Sequence, residues 1–242
     1  MESLADYANF DRVPGEALDK IVRLGIAIDQ IIEETNLDAI ALRCWQEMQL
    51  QLGISPCVLL SELNNRGIIA SCEVDVGNAV AMRALSAASG NVAACLDWNN
   101  NYGDDPDKCI LFHCGPVPQD MMVDRGVVTG HAILDNVEAI KSSWGCNTGR
   151  IKPTEFTFSS MMTEEGGLKF YVGQGGFTGD PIPADYFGCG GVAQIDGLQD
   201  VLLHVGREGH RHHVGVTPGH VARPLIEALG YYLGFDIRVP QE

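Results

Sequence analysis

Basic residues are scarce in this chain of 242 amino acids. Lys and Arg total 16 against 32 Asp and Glu, which gives a formal net charge of −16 at pH 7. A chain of this charge repels a phosphate backbone unless its few cations form a patch, and the sequence contains no stripe of Lys or Arg. The composition therefore argues against nucleic acid as a partner.

Long apolar runs are also missing. No stretch approaches the roughly 20 apolar residues that a membrane-spanning helix needs, and the first residues do not form a basic segment followed by an apolar one. We therefore expect no membrane span, no signal peptide and a cytoplasmic location. With 45% hydrophobic residues, the chain can bury the core of one large domain or two modest ones.

Closely spaced cysteine pairs of the zinc-finger type are absent, although the chain has eight cysteines. Most of them lie in short apolar runs, where a free cysteine behaves as a small hydrophobic residue. We expect reduced thiols in the core and no zinc site held by Cys alone. Phosphate-binding loops, serine nucleophile elbows and helical His-Glu-His zinc motifs are missing as well.

Three short apolar runs are each followed by a residue that can bind a metal or move a proton. They are 68–72 before Glu73, 92–96 before Asp97, and 109–112 before His113. Such runs predict strands buried on both faces of a parallel or mixed sheet covered by helices. Ligands of open α/β sheets bind beyond the carboxyl ends of the strands, so we expect these three side chains to share one site.

Helical patterns alternate with these strands in the first half of the chain. Segment 15–35 carries apolar residues at near-helical spacing, and the Ala-rich segment 77–88 predicts a helix that lies close to the sheet and ends at Gly90. Alternation of this kind is typical of α/β folds. We predict an α/β domain over residues 1–116.

The second half is rich in Gly and Thr and predicts antiparallel β structure. Residues 155–173 are typical of a hairpin with its turn at 164–167. Further predictions are strands at 201–205, 212–217 and 235–239 and a helix at 220–233. The predicted fold class is thus α/β, a helix-covered parallel or mixed sheet followed over 117–242 by a barrel-like antiparallel domain with a C-terminal helix.

The residues after Asp97 predict a ligand-binding loop. Trp98, Asn99 and Asn100 offer amides that hydrogen-bond hydroxyl groups and a ring that covers an apolar face, which suits a sugar-like ligand. The same residues are equally compatible with an ordinary turn cluster. Glu73 also has an ordinary alternative, because acids are favoured in the first turn of a helix.

The histidines near the C-terminus can be sorted by strand alternation. If 212–217 is a strand, His212 shares a face with two valines, whereas His213 shares the opposite face with Gly215. The valine face belongs in the core, so His213 is the better metal candidate and His212 the alternative. Two carboxylates and an imidazole suit Mn²⁺, Mg²⁺ or another divalent ion with a preference for oxygen ligands.

Four motifs in this order resemble the L-fucose isomerase and L-arabinose isomerase superfamily over most of the chain. They are Cys72-Glu73-Val74-Asp75, Leu96-Asp97-Trp98-Asn99-Asn100, Phe112-His113-Cys114-Gly115 and His212-His213-Val214. The resemblance implies Mn²⁺ held by Glu73, Asp97 and His213, with the two acids also serving as the acid/base pair of an aldose-ketose isomerisation. It places His113 at the same site, where we expect it to bind substrate together with Trp98, Asn99 and Asn100.

Members of that superfamily are much longer than this chain, which resembles their middle and C-terminal parts. We therefore expect either an isomerase of a pentose or 6-deoxyhexose that works through an enediolate, or an incomplete sugar-binding or assembly subunit. The second alternative needs a separate N-terminal domain chain. A homo-oligomer is expected in both cases, and another metal-assisted lyase or epimerase on the same scaffold stays open.

Overall fold

The computed structural model describes residues 4–134 and 136–241. The helices are α1 (Leu4–Tyr7), α2 (Gly15–Thr35), α3 (Glu47–Leu52), α4 (Cys57–Asn65), α5 (Val76–Ser89), α6 (Leu198–Arg207) and α7 (Ala222–Ile226), and a π-helical segment, Glu227–Tyr232, continues α7. The strands are β1 (Ala39–Ala41), β2 (Ile69–Ser71), β3 (Ala94–Asn101), β4 (Lys108–His113), β5 (Val127–Thr129), β6 (Cys146–Arg150), β7 (Thr154–Glu164), β8 (Gly167–Phe177), β9 (Cys189–Gln194), β10 (His213–Pro218) and β11 (Asp236–Arg238). Single 3₁₀ turns lie at Gln119–Met121 and Ala132–Leu134.

Six strands form a closed ring in the order β8-β7-β10-β3-β4-β9, and each neighbouring pair is antiparallel. The ring closes where β9 pairs back to β8 at Phe177 and Ala193. Alternate residues of all six strands fill its interior, among them the fully buried Phe156, Phe158 and Tyr171. The predicted barrel-like antiparallel part is therefore confirmed, as is the fold class.

Helix α6 packs its apolar face against the interior of the ring. Leu198, Val201 and Val205 belong to the same buried cluster as the strand residues. The predicted strand at 201–205 is therefore wrong. The segment is rich in β-prone residues, but its buried apolar residues are spaced by three and four positions from Leu198 onward, which is the spacing of a helix.

Helix α5 covers the outer face of the ring at β7 and β10. Gly215 of β10 has no side chain, and a Cβ built there would lie 3.1 Å from Leu85 and 3.2 Å from Met82 of the helix. The absence of a Cβ thus allows the helix to approach the sheet closely. On the other side of α5, the parallel pair β1–β2 joins a second apolar cluster formed mainly by α2 and α4.

Among the strands of the described residues, the parallel pairs are β1–β2 and the outer pairs β6–β9 and β11–β8. The expectation that β3 and β4 end at the carboxyl edge of a parallel sheet is wrong, since these strands are antiparallel neighbours in the ring. Asp97 lies within β3 rather than at the start of a loop. The polar residues after it occupy the exposed end of the β3–β4 hairpin, with an irregularity between Trp98 and Asn101.

Strands β3 and β4 precede residue 116 but hydrogen-bond within the ring to strands that follow it. The division into domains 1–116 and 117–242 stays a prediction. All eight cysteines are buried and unpaired, as expected. Within residues 4–134 and 136–241, no helix is long and apolar enough to cross a membrane.

Candidate metal and proton-transfer site

Glu73 lies two residues beyond the end of β2, in a tight turn closed by the Asp75 amide, which donates to the Cys72 carbonyl at 3.0 Å. Both central residues, Glu73 and Val74, have a φ of 58°. This left-handed region favours Gly and Asn, and a non-glycine residue held there costs on the order of 1–3 kcal/mol. The Glu73 side chain stays 31% exposed, so its carboxylate can reach a substrate.

Asp97 and His213 are direct partners on the neighbouring strands β3 and β10. Side chains of such partners project from the same face of a sheet. The His213 Nε2 atom lies 3.5 Å from Asp97 Oδ1 and 3.8 Å from Glu73 Oε2. The structure therefore brings together the three residues that we predicted as metal ligands.

His113 ends β4 and faces the same cluster. Its Nε2 atom lies 3.9 Å from Asp97 Oδ1, and its ring centroid is 5.4 Å from that of His213. Asp97 Oδ1, His113 Nε2 and His213 Nε2 are all buried and have no hydrogen-bond partner among the residues that the structure describes. Buried polar atoms without partners that face one another indicate a place for a ligand or an ion.

The orientation of the His213 ring is set from behind by Asp75. His213 Nδ1 lies 2.9 Å from Asp75 Oδ2, so Nδ1–H donates to that carboxylate and the Nε2 lone pair faces Asp97. Asp75 in turn caps α5, because it accepts the Asn78 amide at 2.9 Å, and pairs with Arg211 at 3.0 Å. This arrangement is the usual support of a metal-binding histidine.

Charges around His213 and Asp75 shift both pKa values. Burial opposes protonation of His213, but the hydrogen bond to Asp75 and the negative charges of Asp97 and Glu73 raise its pKa above the ordinary value. Burial likewise disfavours an ionised Asp75, yet the hydrogen bonds from His213 and Asn78 lower the pKa of that carboxyl. Asp75 is therefore ionised at neutral pH and holds a proton on His213 Nδ1.

His113 has the opposite tautomer. Its Nδ1 atom accepts the backbone amide of Cys114 at 2.8 Å, so the neutral ring carries its proton on Nε2. Burial, together with the charge of His213, lowers the pKa of His113 to about 3, and the ring stays neutral. His113 thus presents an N–H donor to the cluster, whereas His213, when its ring is neutral, presents a lone pair.

The pKa of Asp97 is shifted in the opposite direction to that of Asp75. Burial raises the pKa of Asp97 to about 6, although the charges of His213 and His212 oppose the shift. A carboxyl that titrates near neutral pH is suited to proton transfer. Among the described residues, this cluster therefore combines side chains that could hold a metal ion with an acid suited to proton transfer.

His212 lies at the rim of the site. Its side chain is 60% exposed, compared with 3% for His213, and its Nε2 atom lies 3.5 Å from Asp97 Oδ1. It is close enough to join the cluster, but among the described residues no carboxylate hydrogen-bonds its other ring nitrogen as Asp75 does for His213. The geometry favours His213 as the ligand, and the choice stays a prediction.

Of the residues after Asp97, Trp98 faces away from this cluster. Trp98 is on the opposite face of β3, where its indole N–H donates to the Tyr171 hydroxyl at 3.0 Å inside the ring. Asn99 and Asn100 are exposed on the same strand. Their roles in substrate binding stay predictions.

Trp45 is a site residue that sequence reasoning missed. Its indole Nε1–H donates to Glu73 Oε1 at 2.7 Å, and its ring lines a cavity of about 590 Å³. The other residues that line this cavity are Arg43, Glu73, Val74, Asp97 and His212. The parallel pairing of β1 and β2 is the signal that could have found it, because it brings the segments that follow both strands together.

The chain can be compared with known proteins on this basis. A family model described as the C-terminal domain of L-fucose isomerase matches residues 111–239, which is more than half of the chain. The chain belongs to this family. The match contains His113 and His213, whereas Glu73 and Asp97 precede it, and it confirms the resemblance to L-fucose isomerase.

Several curated relatives of this family member are named sulfoquinovose isomerase. Those of Priestia aryabhattai and Priestia megaterium are each 24% identical over 231 residues, covering 93% of this chain and 49% of the relative. That of Alkalicoccus urumqiensis is 32% identical over 89 residues, covering 37% and 20%. The chain therefore spans about half the length of the first two relatives.

Proposed function

We propose that the chain is the catalytic part of a divalent-metal-dependent aldose-ketose isomerase. The supporting observation is the position of His213 Nε2, which lies within 4 Å of a carboxylate oxygen of both Glu73 and Asp97, while Glu73, His212 and His213 offer ligand atoms that all lie within 4.8 Å of one another. Two atoms bound to one small divalent ion at about 2.1 Å each lie at most about 4.2 Å apart. The separations of 3.5 and 3.8 Å from His213 satisfy this limit, and the donor set suits Mn²⁺ or Mg²⁺.

A bound divalent ion would polarise the substrate carbonyl and ease the loss of a proton from the adjacent carbon. Glu73 and Asp97 would relay that proton from C2 of the aldose to C1 of the ketose, while a second proton passes from the C2 oxygen to the C1 oxygen. His113 would donate its Nε2–H to a substrate oxygen. Asp75 would keep the His213 lone pair directed at the site.

The proposed substrate is a sugar, which the family and the names of the relatives support. We propose an open-chain pentose or 6-deoxyhexose, and the name of the Priestia and Alkalicoccus relatives adds sulfoquinovose. The cavity beside Glu73 and Asp97 also contains Arg43 and His212, which offer polar contacts beyond the reacting carbons.

Partial coverage favours a second candidate of another class. Because the chain spans only 49% of the length of the Priestia relatives, it is also compatible with a sugar-binding or assembly subunit that needs a separate N-terminal domain for turnover. Catalysis depends on holding the substrate within reach of the acid/base pair and on excluding water, whereas chelation of an ion needs less of the surrounding wall.

The test measures ion binding and turnover in parallel. Calorimetry with Mn²⁺ is combined with ketose formation from L-fucose, D-arabinose, L-arabinose and sulfoquinovose, with EDTA as the control. EDTA-sensitive turnover supports the isomerase. Ion and sugar binding without turnover supports the subunit, and the absence of Mn²⁺ binding contradicts both.

A further inference from the structure

Two short segments run side by side behind the candidate metal site. One is 42–45, which follows β1, and the other is 71–74, which follows β2. Four contacts join them: the Leu42 amide to the Ser71 carbonyl at 3.0 Å, the Val74 amide to the Leu42 carbonyl at 3.2 Å, Cys44 Sγ to Cys72 Sγ at 2.9 Å, and Trp45 Nε1 to Glu73 Oε1 at 2.7 Å. Segment 42–45 therefore braces the turn that carries Glu73.

The turn needs such a brace. Glu73 and Val74 both have a φ of 58°, a conformation that non-glycine residues keep only where surrounding contacts impose it. Three of the four contacts hold the turn at its backbone or at Cys72. The indole of Trp45 is the contact that acts on the Glu73 carboxylate itself.

We propose that Trp45 is a positioning residue of the metal site, which fixes Oε1 of Glu73 so that Oε2 faces His213. The inference rests on the metal site proposed above and extends it to a residue outside the ligand set. An indole has one donor and no acceptor, so Trp45 holds one oxygen of the Glu73 carboxyl group and leaves the other oxygen free to face the site. Oε2 then lies 3.8 Å from His213 Nε2.

The indole of Trp45 is itself held firmly enough to fix the Glu73 carboxyl group. Its ring meets the edge of His131 at a centroid distance of 5.0 Å and an interplanar angle of 66°. The ring also packs on the apolar cluster of α2 and α4, which contains the buried Ile54 and Cys44. The N–H therefore has little freedom to follow Glu73 if the carboxylate turns.

The test compares Trp45→Phe with Trp144→Phe in the full chain. Both tryptophans are partly buried and belong to the same apolar cluster, but the Glu73 contact is made by Trp45. Phenylalanine keeps an aromatic ring and removes the N–H donor. We expect Trp45→Phe to weaken Mn²⁺ binding by about 10- to 100-fold, the usual effect of removing an outer partner of a metal ligand, and Trp144→Phe to leave it unchanged.

A spectroscopic readout separates positioning from a general loss of structure. The chain has three tryptophans, so ¹⁵N labelling gives three indole N–H signals that the two variants assign. In the metal-free protein we expect Glu73→Gln to move the Trp45 signal and to leave the Trp144 signal in place. Mn²⁺ should broaden the Trp45 signal first, because its N–H adjoins a ligand.

The outcomes distinguish this inference from the proposed function. If the wild-type chain binds no Mn²⁺, the proposed function fails, while the Glu73→Gln shift still reports on the indole contact. If the wild-type chain binds Mn²⁺ and Trp45→Phe binds it equally tightly, the positioning role is overturned. The positioning role is also overturned if Glu73→Gln leaves the Trp45 indole signal in place.

Discussion

His213 of β10 lies directly opposite Asp97 of β3, and this register brings the ring nitrogen and the carboxylate oxygen within 3.5 Å. A shift of one residue would replace His213 at this place with Val214, whose side chain belongs to the interior of the ring. The pairing of two strands thus determines half of the candidate site. The other half, Glu73, comes from outside the ring, after β2.

Glu73→Gln should abolish turnover and leave the fold intact. The amide keeps the size of the side chain but neither moves a proton nor binds a cation well, and loss of an acid/base group lowers rates by about 10²- to 10⁴-fold. The measurement is the rate of ketose formation, with Glu33→Gln on the exposed side of α2 as the matched control. Equal rates in the two variants would remove Glu73 from the mechanism.

Asp97 should bind protons and metal in competition. In the metal-free protein burial raises its pKa to about 6, and a carboxylate must be ionised to bind a cation. We therefore expect Mg²⁺ to lower this pKa, and the affinity for the ion to fall as the pH drops below 6. Carbon NMR titration of the carboxyl group with and without Mg²⁺ tests this, and two identical curves would count against a shared site.

Asp75→Asn should distinguish the two roles of Asp75, which are to cap α5 and to orient the His213 ring. Asn caps helices as well as Asp does, so the unfolding midpoint should change little. The charge that holds the proton on His213 Nδ1 is lost, and Mn²⁺ affinity should fall by about 10- to 100-fold. On the same sample, calorimetry gives the Mn²⁺ affinity and urea unfolding gives the midpoint. Unchanged affinity would mean that Asp75 serves α5 alone.

His210 should make the protein sensitive to acid. Burial, with the charges of His204 and Arg211, lowers the pKa of His210 to about 4, whereas the unfolded chain titrates at its ordinary, higher value. The unfolded state therefore binds more protons between about pH 6.5 and 4, so stability falls as the pH drops through this range. His210→Gln should lose less stability than the wild type between pH 7 and 4.5 in urea unfolding. His220→Gln, at an exposed position, is the control.

The sequence predicted which residues meet in the candidate site better than the strand arrangement that brings them together. His213 followed from the valines beside it, because alternation in β10 directs Val214 and Val216 into the ring and His213 out of it. Asp97 was found because it follows an apolar run, but its strand is antiparallel and continues past it. The polar end of a hairpin and a loop have the same composition, so the sequence could not separate them.

Other features depend on contacts between distant segments. Trp45 carries no local signal of its role, since the hydrogen bond to Glu73 exists only because β1 and β2 pair in parallel. Helix α6 was missed because Val201, Leu202 and Leu203 are typical of a strand, and the core decides that they form a helix. The hairpin of β7 and β8 and the long α2 needed no such information, because turn residues and periodicity suffice.

The closed ring has a seam, and its position matters for the site. Strands β8 and β9 meet through two residue pairs, whereas β7 and β8 are joined by eleven. The ring therefore opens most easily between β8 and β9. Around the ring, this seam lies opposite the β3–β10 pair that carries Asp97 and His213. Transient opening of the barrel, visible as faster amide exchange near Phe177 and Ala193, would therefore leave the two ligand strands paired. The ring can therefore open locally between β8 and β9 while β3 and β10 keep the geometry of the candidate metal site.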